Sequence, residues 1–147
     1  MLKRKVLLAV AMVGFAAVSC SDDNNKSTSI SPLIGTWKAE TLSYDVPGVH
    51  AGTYPFNHPM IKHGCDTDYL ELKEGNISKL TENNKVIDAG DCENADFTGT
   101  WVNDKIFLNG KAERTILSIE GDTLKLTYPM QFGNFPEIDV VVKYSRK

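Results

Sequence analysis

Cysteine, basic charge and long apolar runs are all scarce in this sequence. Cys20, Cys65 and Cys92 are the whole cysteine complement of 147 residues. That excludes a disulfide-dense miniature domain and a four-cysteine zinc framework. The longest apolar run, residues 6–17, is shorter than the ~20 residues that a helix needs to cross a bilayer. Basic residues cluster only at Lys3, Arg4 and Lys5, so binding of nucleic acid or of anionic lipid by charge has no support. Gly-x-Ser-x-Gly, a Gly-rich phosphate loop and His-Glu-x-x-His are all missing. No pair of carboxylates is placed across a cleft by any recognisable spacing. The sequence therefore argues against an enzyme and calls for no cofactor.

The N-terminus has the three parts of a secretory signal: a basic start, an apolar stretch, and a small residue, Ser19, before Cys20. Ala17-Val18-Ser19-Cys20 resembles the lipobox of bacterial lipoproteins, with Ala17 standing where Leu is usual. The resemblance implies cleavage after residue 19 and acylation of Cys20 with palmitate-class chains. Two or more such chains anchor a protein stably, whereas one binds only marginally. Ser21-Asp22-Asp23-Asn24-Asn25 resembles the acidic export tag of Bacteroidota-type lipoproteins, which implies the outer membrane and exposure at the cell surface. A solvated tether accounts for the same composition.

Loss of residues 1–19 takes three basic residues and no acid. The 16 basic residues fall to 13 against 19 acids, and the formal charge goes from −3 to −6. The expected organisation is a signal over 1–19, an acylated flexible tether over 20–31, and one folded domain over 32–147. In an exported, oxidising setting Cys65 and Cys92 most simply form a disulfide. It would close a loop of about 28 residues, worth roughly 3–4 kcal/mol by the chain-entropy argument. A free thiol pair or metal ligands is the alternative.

After Pro32 no apolar pattern keeps a helical period. Short alternating runs bounded by turn residues predict strands over 36–44, 68–73, 77–81, 97–102, 105–109, 113–119, 123–130 and 138–145. Residues 46–64, rich in Pro and Gly, read as a long irregular segment, and 82–94 as a polar connection. Sequential hairpins with one apolar face favour closure, which removes exposed edges. The expectation is an all-β, antiparallel up-and-down barrel of about eight strands. Periodicity alone does not separate it from an open sandwich.

Gly35-Thr36-Trp37 and Gly99-Thr100-Trp101 resemble the Gly-x-Trp signature of lipocalins. Their order with Cys20, Cys65 and Cys92 is similar to that of lipocalin-like domains in Bacteroidota-type lipoproteins. The resemblance implies a lipocalin-like barrel with Trp37 packed across one end. The expected departure from full lipocalins comes after the last strand, where the helix that covers the barrel end in that family is lacking.

The inward faces predicted from alternation include Leu70, Trp101, Ile106, Leu108, Leu117, Leu124 and Val140. Trp37, Leu72, Leu126, Tyr128, Val142 and Tyr144 are the candidate lining of a ligand cavity: apolar walls with tyrosine hydroxyls to orient a small apolar molecule. The same residues equally describe a packed core. In that alternative the protein is a non-enzymatic interaction module whose partner the sequence leaves unidentified. Its contacts would come from the 46–64 segment, which carries Tyr54, Phe56, Met60 and Ile61. His50, His58 and His63 fall in or beside the same segment without the spacing of a known metal motif, so no metal site is predicted.

Overall fold

The computed structural model describes residues 31–46, 50–86, 90–132, 134 and 136–147. The signal, Cys20 and the tether up to residue 30 lie outside the described residues. The elements are β1 (Gly35–Val46), β2 (His50–Pro55), α1 (Pro59–Lys62), β3 (Tyr69–Lys73), β4 (Ile77–Lys85), β5 (Cys92–Val102), β6 (Lys105–Leu108), β7 (Arg114–Glu120), β8 (Thr123–Met130) and β9 (Ile138–Arg146). All pairings are antiparallel, and β1 pairs with β9, so the sheet closes into a barrel. This is the expected class: sequential hairpins whose apolar faces point inward.

Nine strands make eight staves, because β2 and β3 are two pieces of one. Along one edge of β1, Thr41 faces Pro55 and Lys38 faces Tyr69. Between them, Phe56 N–H donates to the Glu40 carbonyl at 2.8 Å, and Ala39 N–H donates to the Asp68 carbonyl at 3.0 Å. Adjacent positions of β1 thus meet residues 56 and 68, and residues 57–67 are looped out as an excursion. The Cys65–Cys92 disulfide pins that excursion to the start of β5. Asn83 N–H donates to Asp68 Oδ1 at 3.0 Å and Lys62 Nζ to Asn84 Oδ1 at 3.1 Å. The excursion thereby fills the edge of β4 beyond Thr81, where β3 has ended.

Two expectations are corrected here. The 46–64 segment is not irregular throughout: β2 pairs with β1, and α1 begins at Pro59 with His58 as its cap. Much of the 82–94 connection is strand, paired from Glu82–Ala95 to Lys85–Cys92.

Inward positions alternate as a half-buried strand requires, with one slip in each of two strands. In β1 the register shifts between Ala39 and Thr41, so inward Trp37 and Ala39 are followed by Leu42. In β7 it shifts between Ile116 and Ser118. Such bulges leave one residue unpaired and change the phase of the strand. Leu117, expected inside, is that residue and is 52% exposed.

Candidate functional site at the barrel mouth

The two ends of the barrel are built differently. At one end Trp37 is buried with Nε1 donating to the Leu33 carbonyl at 2.9 Å. Arg146 covers its ring, the guanidinium carbon 4.3 Å from the ring centre. Above this end, Trp37, Leu42, Leu70, Ile106, Leu124, Leu126, Val140 and Val142 each have 0% accessible surface. No water-sized space adjoins any of them, so this part of the barrel is packed like any protein interior.

That packing bears on the predicted ligand lining. Trp37, Leu72, Leu126, Val142 and Tyr144 all lie inward and are tightly buried, as is Cys65. Tyr128, at 6%, is the most accessible residue of the lining, and it also borders one of two open grooves. The structure therefore brings the predicted residues together, but as a core with no gap between them. Two open grooves lie over the strands, one beside Thr115, Thr127 and Pro129, the other beside Thr98, Thr100 and Phe107. Both are lined mainly by outward positions.

The opposite end, where the β6–β7 and β8–β9 connections lie, is looser. Tyr44, Phe97, Ile116, Met130, Phe132 and Ile138 are only partly buried against the core. Met130 and Ile138 are cross-strand partners, two positions beyond the partners Tyr128 and Val140. Tyr44 stacks on Tyr54 with ring centres 5.9 Å apart and leans on Phe132 at 6.0 Å. Lys111 Nζ sits 4.0 Å over the Phe97 ring and 2.7 Å from Glu82 Oε2.

Beneath this mouth is a group of buried charges that the alternation pattern did not reveal. Lys62 Nζ lies 2.5 Å from Asp68 Oδ1, with both side chains at least nine-tenths buried. Burial pushes the Asp68 carboxyl up against the downward pull of Lys62. Arg114 is 4% exposed, its guanidinium carbon 4.4 Å over the Tyr128 ring. Its Nη1 donates to the Ala112 carbonyl at 3.3 Å, while its Nε has no hydrogen-bond partner. Burial also raises Tyr128 well above its ordinary value. Tyr144 is raised for the same reason, though the Arg114 charge works against it. Both phenols are therefore neutral hydroxyls that can donate.

Assigning Leu117 inward set the phase of β7 by its far half, and that phase turned Arg114 outward. Before the bulge the inward residues are Arg114 and Ile116.

The histidines do not converge on a metal. His58 Nδ1 accepts from the Met60 N–H at 3.2 Å, capping α1, and His63 ends α1 in a left-handed conformation. Among the described residues no three of His, Cys, Asp and Glu form a metal-holding group.

No family model matches this sequence, and neither does any curated protein. Solved structures do match. The siderocalin Ex-FABP, described as functioning through dual ligand specificities, is 9% identical, with 80% of this chain and 71% of that chain covered and a TM-score of 0.50. An odorant-binding protein is 15% identical over 80% of this chain and 73% of its own, again at 0.50. Aphrodisin, a sex pheromone from female hamster, is 12% identical over 78% and 75%, also at 0.50. At these identities the likeness is one of fold: this chain forms a lipocalin-like antiparallel barrel.

Proposed function

We propose that this is a lipid-anchored, exported lipocalin-like protein that takes a small apolar molecule at the mouth of its barrel, without catalysis. The packing contrast between the two ends carries this reading. Leu33, Ile34 and Ile119 are half-buried at the end that Trp37 and Arg146 cover, whereas the mouth presents a larger ring of half-buried apolar side chains near Tyr128. Ligand sites are concave and mostly apolar, with a few polar groups to orient the guest, and the mouth has that composition. The deeper residues Trp37, Leu72, Leu126 and Val142 would then form the floor, with Tyr128 and Tyr144 nearest the guest. The lipobox-like segment before Cys20 supports the anchor, and the acidic tract after it supports the outer membrane and its exposed face.

Native mass spectrometry of the protein after gentle extraction tests the ligand. A co-purifying small molecule lost on denaturation is the expected result. A bare mass, with no uptake of a fluorescent fatty-acid probe, would shift the function to protein contacts. The excursion favours that second reading: it is pinned by the disulfide, and its Met60 is 73% exposed. Radiolabelled palmitate incorporated by wild type but not by Cys20→Ala is the expected sign of the anchor.

A further inference from the structure

We propose that the outer wall of the barrel at its Trp37 end lies against a zwitterionic lipid bilayer, with Ile77, Val102, Phe107 and Leu117 entering the interface. This rests on the lipid-anchor reading above and specifies how the domain sits once anchored.

Strand register builds the patch. Five large apolar side chains are exposed among the described residues, and four of them share one wall: Ile77 at 50%, Val102 at 46%, Phe107 at 43% and Leu117 at 52%. Ile77 faces Thr100 and Thr100 faces Phe107, so the three form one outward row across β4, β5 and β6. Val102 stands two residues beyond Thr100 and faces Lys105, which in turn faces Thr115 on β7. Leu117 follows two residues after Thr115, at the bulge. Singly exposed apolar residues are ordinary, whereas a group on one face marks a contact surface.

Charge selects what the wall fits. Lys73, Lys79 and Lys105 border the patch. Each is held by a carboxylate closer to the mouth: Glu71 at 2.7 Å, Asp96 at 2.9 Å and Glu113 at 2.8 Å. The lysine charges are thus paired and drawn away from the Trp37 end. The flanking turns carry Glu74 and Asp104. Among the described residues this wall offers anionic lipid no cationic face. Contact depends instead on apolar burial in the interface.

The tether brings a bilayer to this end. Ile77 pairs with Lys73, whose neighbour Leu72 faces Gly35 where β1 begins. The chain enters β1 there, its Pro32 carbonyl held by Arg146. Leu33, Ile34 and Ile119 extend the apolar character across the same end. Cys20 lies 12 residues before Pro32. Such a chain reaches at most ~40 Å when extended, and about 20 Å on average when flexible. Acyl chains on Cys20 therefore keep this end beside the bilayer at high effective concentration, where a weak apolar contact suffices.

The test uses the mature chain, residues 20–147, exported behind a non-lipoprotein signal so that Cys20 is a free thiol. Coupling Cys20 to a maleimide lipid in phosphatidylcholine vesicles fixes the tether whether or not cells acylate it. Dibrominated phosphatidylcholine, which quenches tryptophan in the interface, supplies the readout. With the parent's emission subtracted, Phe107→Trp should be quenched at least twofold more than Phe132→Trp at the mouth. Adding Val102→Asp and Leu117→Asp should bring the Phe107→Trp chain down to the level of Phe132→Trp. The melting temperature should not change, because both positions are exposed. Phosphatidylglycerol in place of part of the lipid should not strengthen the quenching; a rise overturns the assignment to a zwitterionic surface. Equal quenching at the two positions, or quenching that survives the two aspartates, overturns the inference. A dimer of the uncoupled chain in sedimentation, dissociated by the two aspartates, assigns the wall to a second copy and also overturns it. Selective quenching here without palmitate incorporation in cells overturns the anchor reading alone. Palmitate incorporation with equal quenching leaves the anchor standing and the wall unengaged.

Discussion

Trp37 and Arg146 face each other as cross-strand partners where the first strand closes on the last. Arg146 lies over the Trp37 ring at 4.3 Å, while Nη1 and Nη2 each donate at 2.7 Å to the carbonyls of Ile34 and Pro32. Gly35 makes room for this: a Cβ there would fall 2.4 Å from Arg146 Nη1. The Nε contact to Asp122, a largely exposed carboxylate, adds little by comparison. One side chain thus ties the segment entering β1 to the end of β9 and caps the packed end.

Arg146→Ala should cost about 2–3 kcal/mol in urea unfolding, since a cation–π contact and two charge-assisted hydrogen bonds go together. Arg146→Lys should recover less than half, because an ammonium cannot reach both carbonyls in the plane of the ring. Full recovery with Lys would show that charge alone matters.

Gly99 is required for a different reason. A Cβ at this position would lie 1.8 Å from the Phe107 carbonyl oxygen, which also accepts from Ser78 Oγ at 3.2 Å. Backbone cannot yield as a flexible side chain does, so Gly99→Ala should destabilise by about 3 kcal/mol or more. Ser78→Ala, which only removes the hydroxyl, should cost about 1 kcal/mol. Thermal melts of the two variants give the ordering.

The disulfide holds an excursion rather than a stave. Replacing Cys65 and Cys92 together with Ser should lower stability by about 3–4 kcal/mol. The loss should appear first as faster amide exchange over residues 57–67 and the β4–β5 tip, while β8 and β9 keep their protection. Uniform loosening of the whole barrel would contradict this division.

The strands that could be read from sequence are those with one clean apolar face. Leu124, Leu126 and Tyr128 alternate with Lys125 and Thr127 in β8, and β9 behaves alike. Cys65 and Cys92 could be paired from the export that the N-terminal resemblance implies. β2 was hidden because Gly52 and Pro55 depress strand propensity, and what secures it is non-local. The Ser43 and Thr53 hydroxyls meet at 2.8 Å, and Tyr54 stacks on Tyr44. The tips of β4 and β5 are polar on both faces, so alternation has nothing to report there. Arg114 was missed because a bulge reverses the phase within β7. A bulge leaves no mark in composition.

Glu82 offers the clearest pH test. Burial pushes its carboxyl up, but hydrogen bonds from Lys111 and Asn84 outweigh burial and hold it below the ordinary value of 4.5. A carboxyl whose pKa is lower in the folded state stabilises the fold above its unfolded pKa. That contribution is lost as the pH falls through the folded value. At pH 7, Glu82→Gln should therefore be less stable than the parent by about 1–2 kcal/mol. The gap should close as the pH falls below about 4. Asp68 shifts the opposite way, chiefly through burial, which both proteins share; the Glu82 charge is its smallest cause, so the substitution also lowers Asp68 slightly. Melting curves of the pair at pH 7 and pH 3.5 make the measurement. A gap that stays constant between the two would mean that Glu82 acts by packing alone. Lys111 would then remain over Phe97 whatever the charge beneath it.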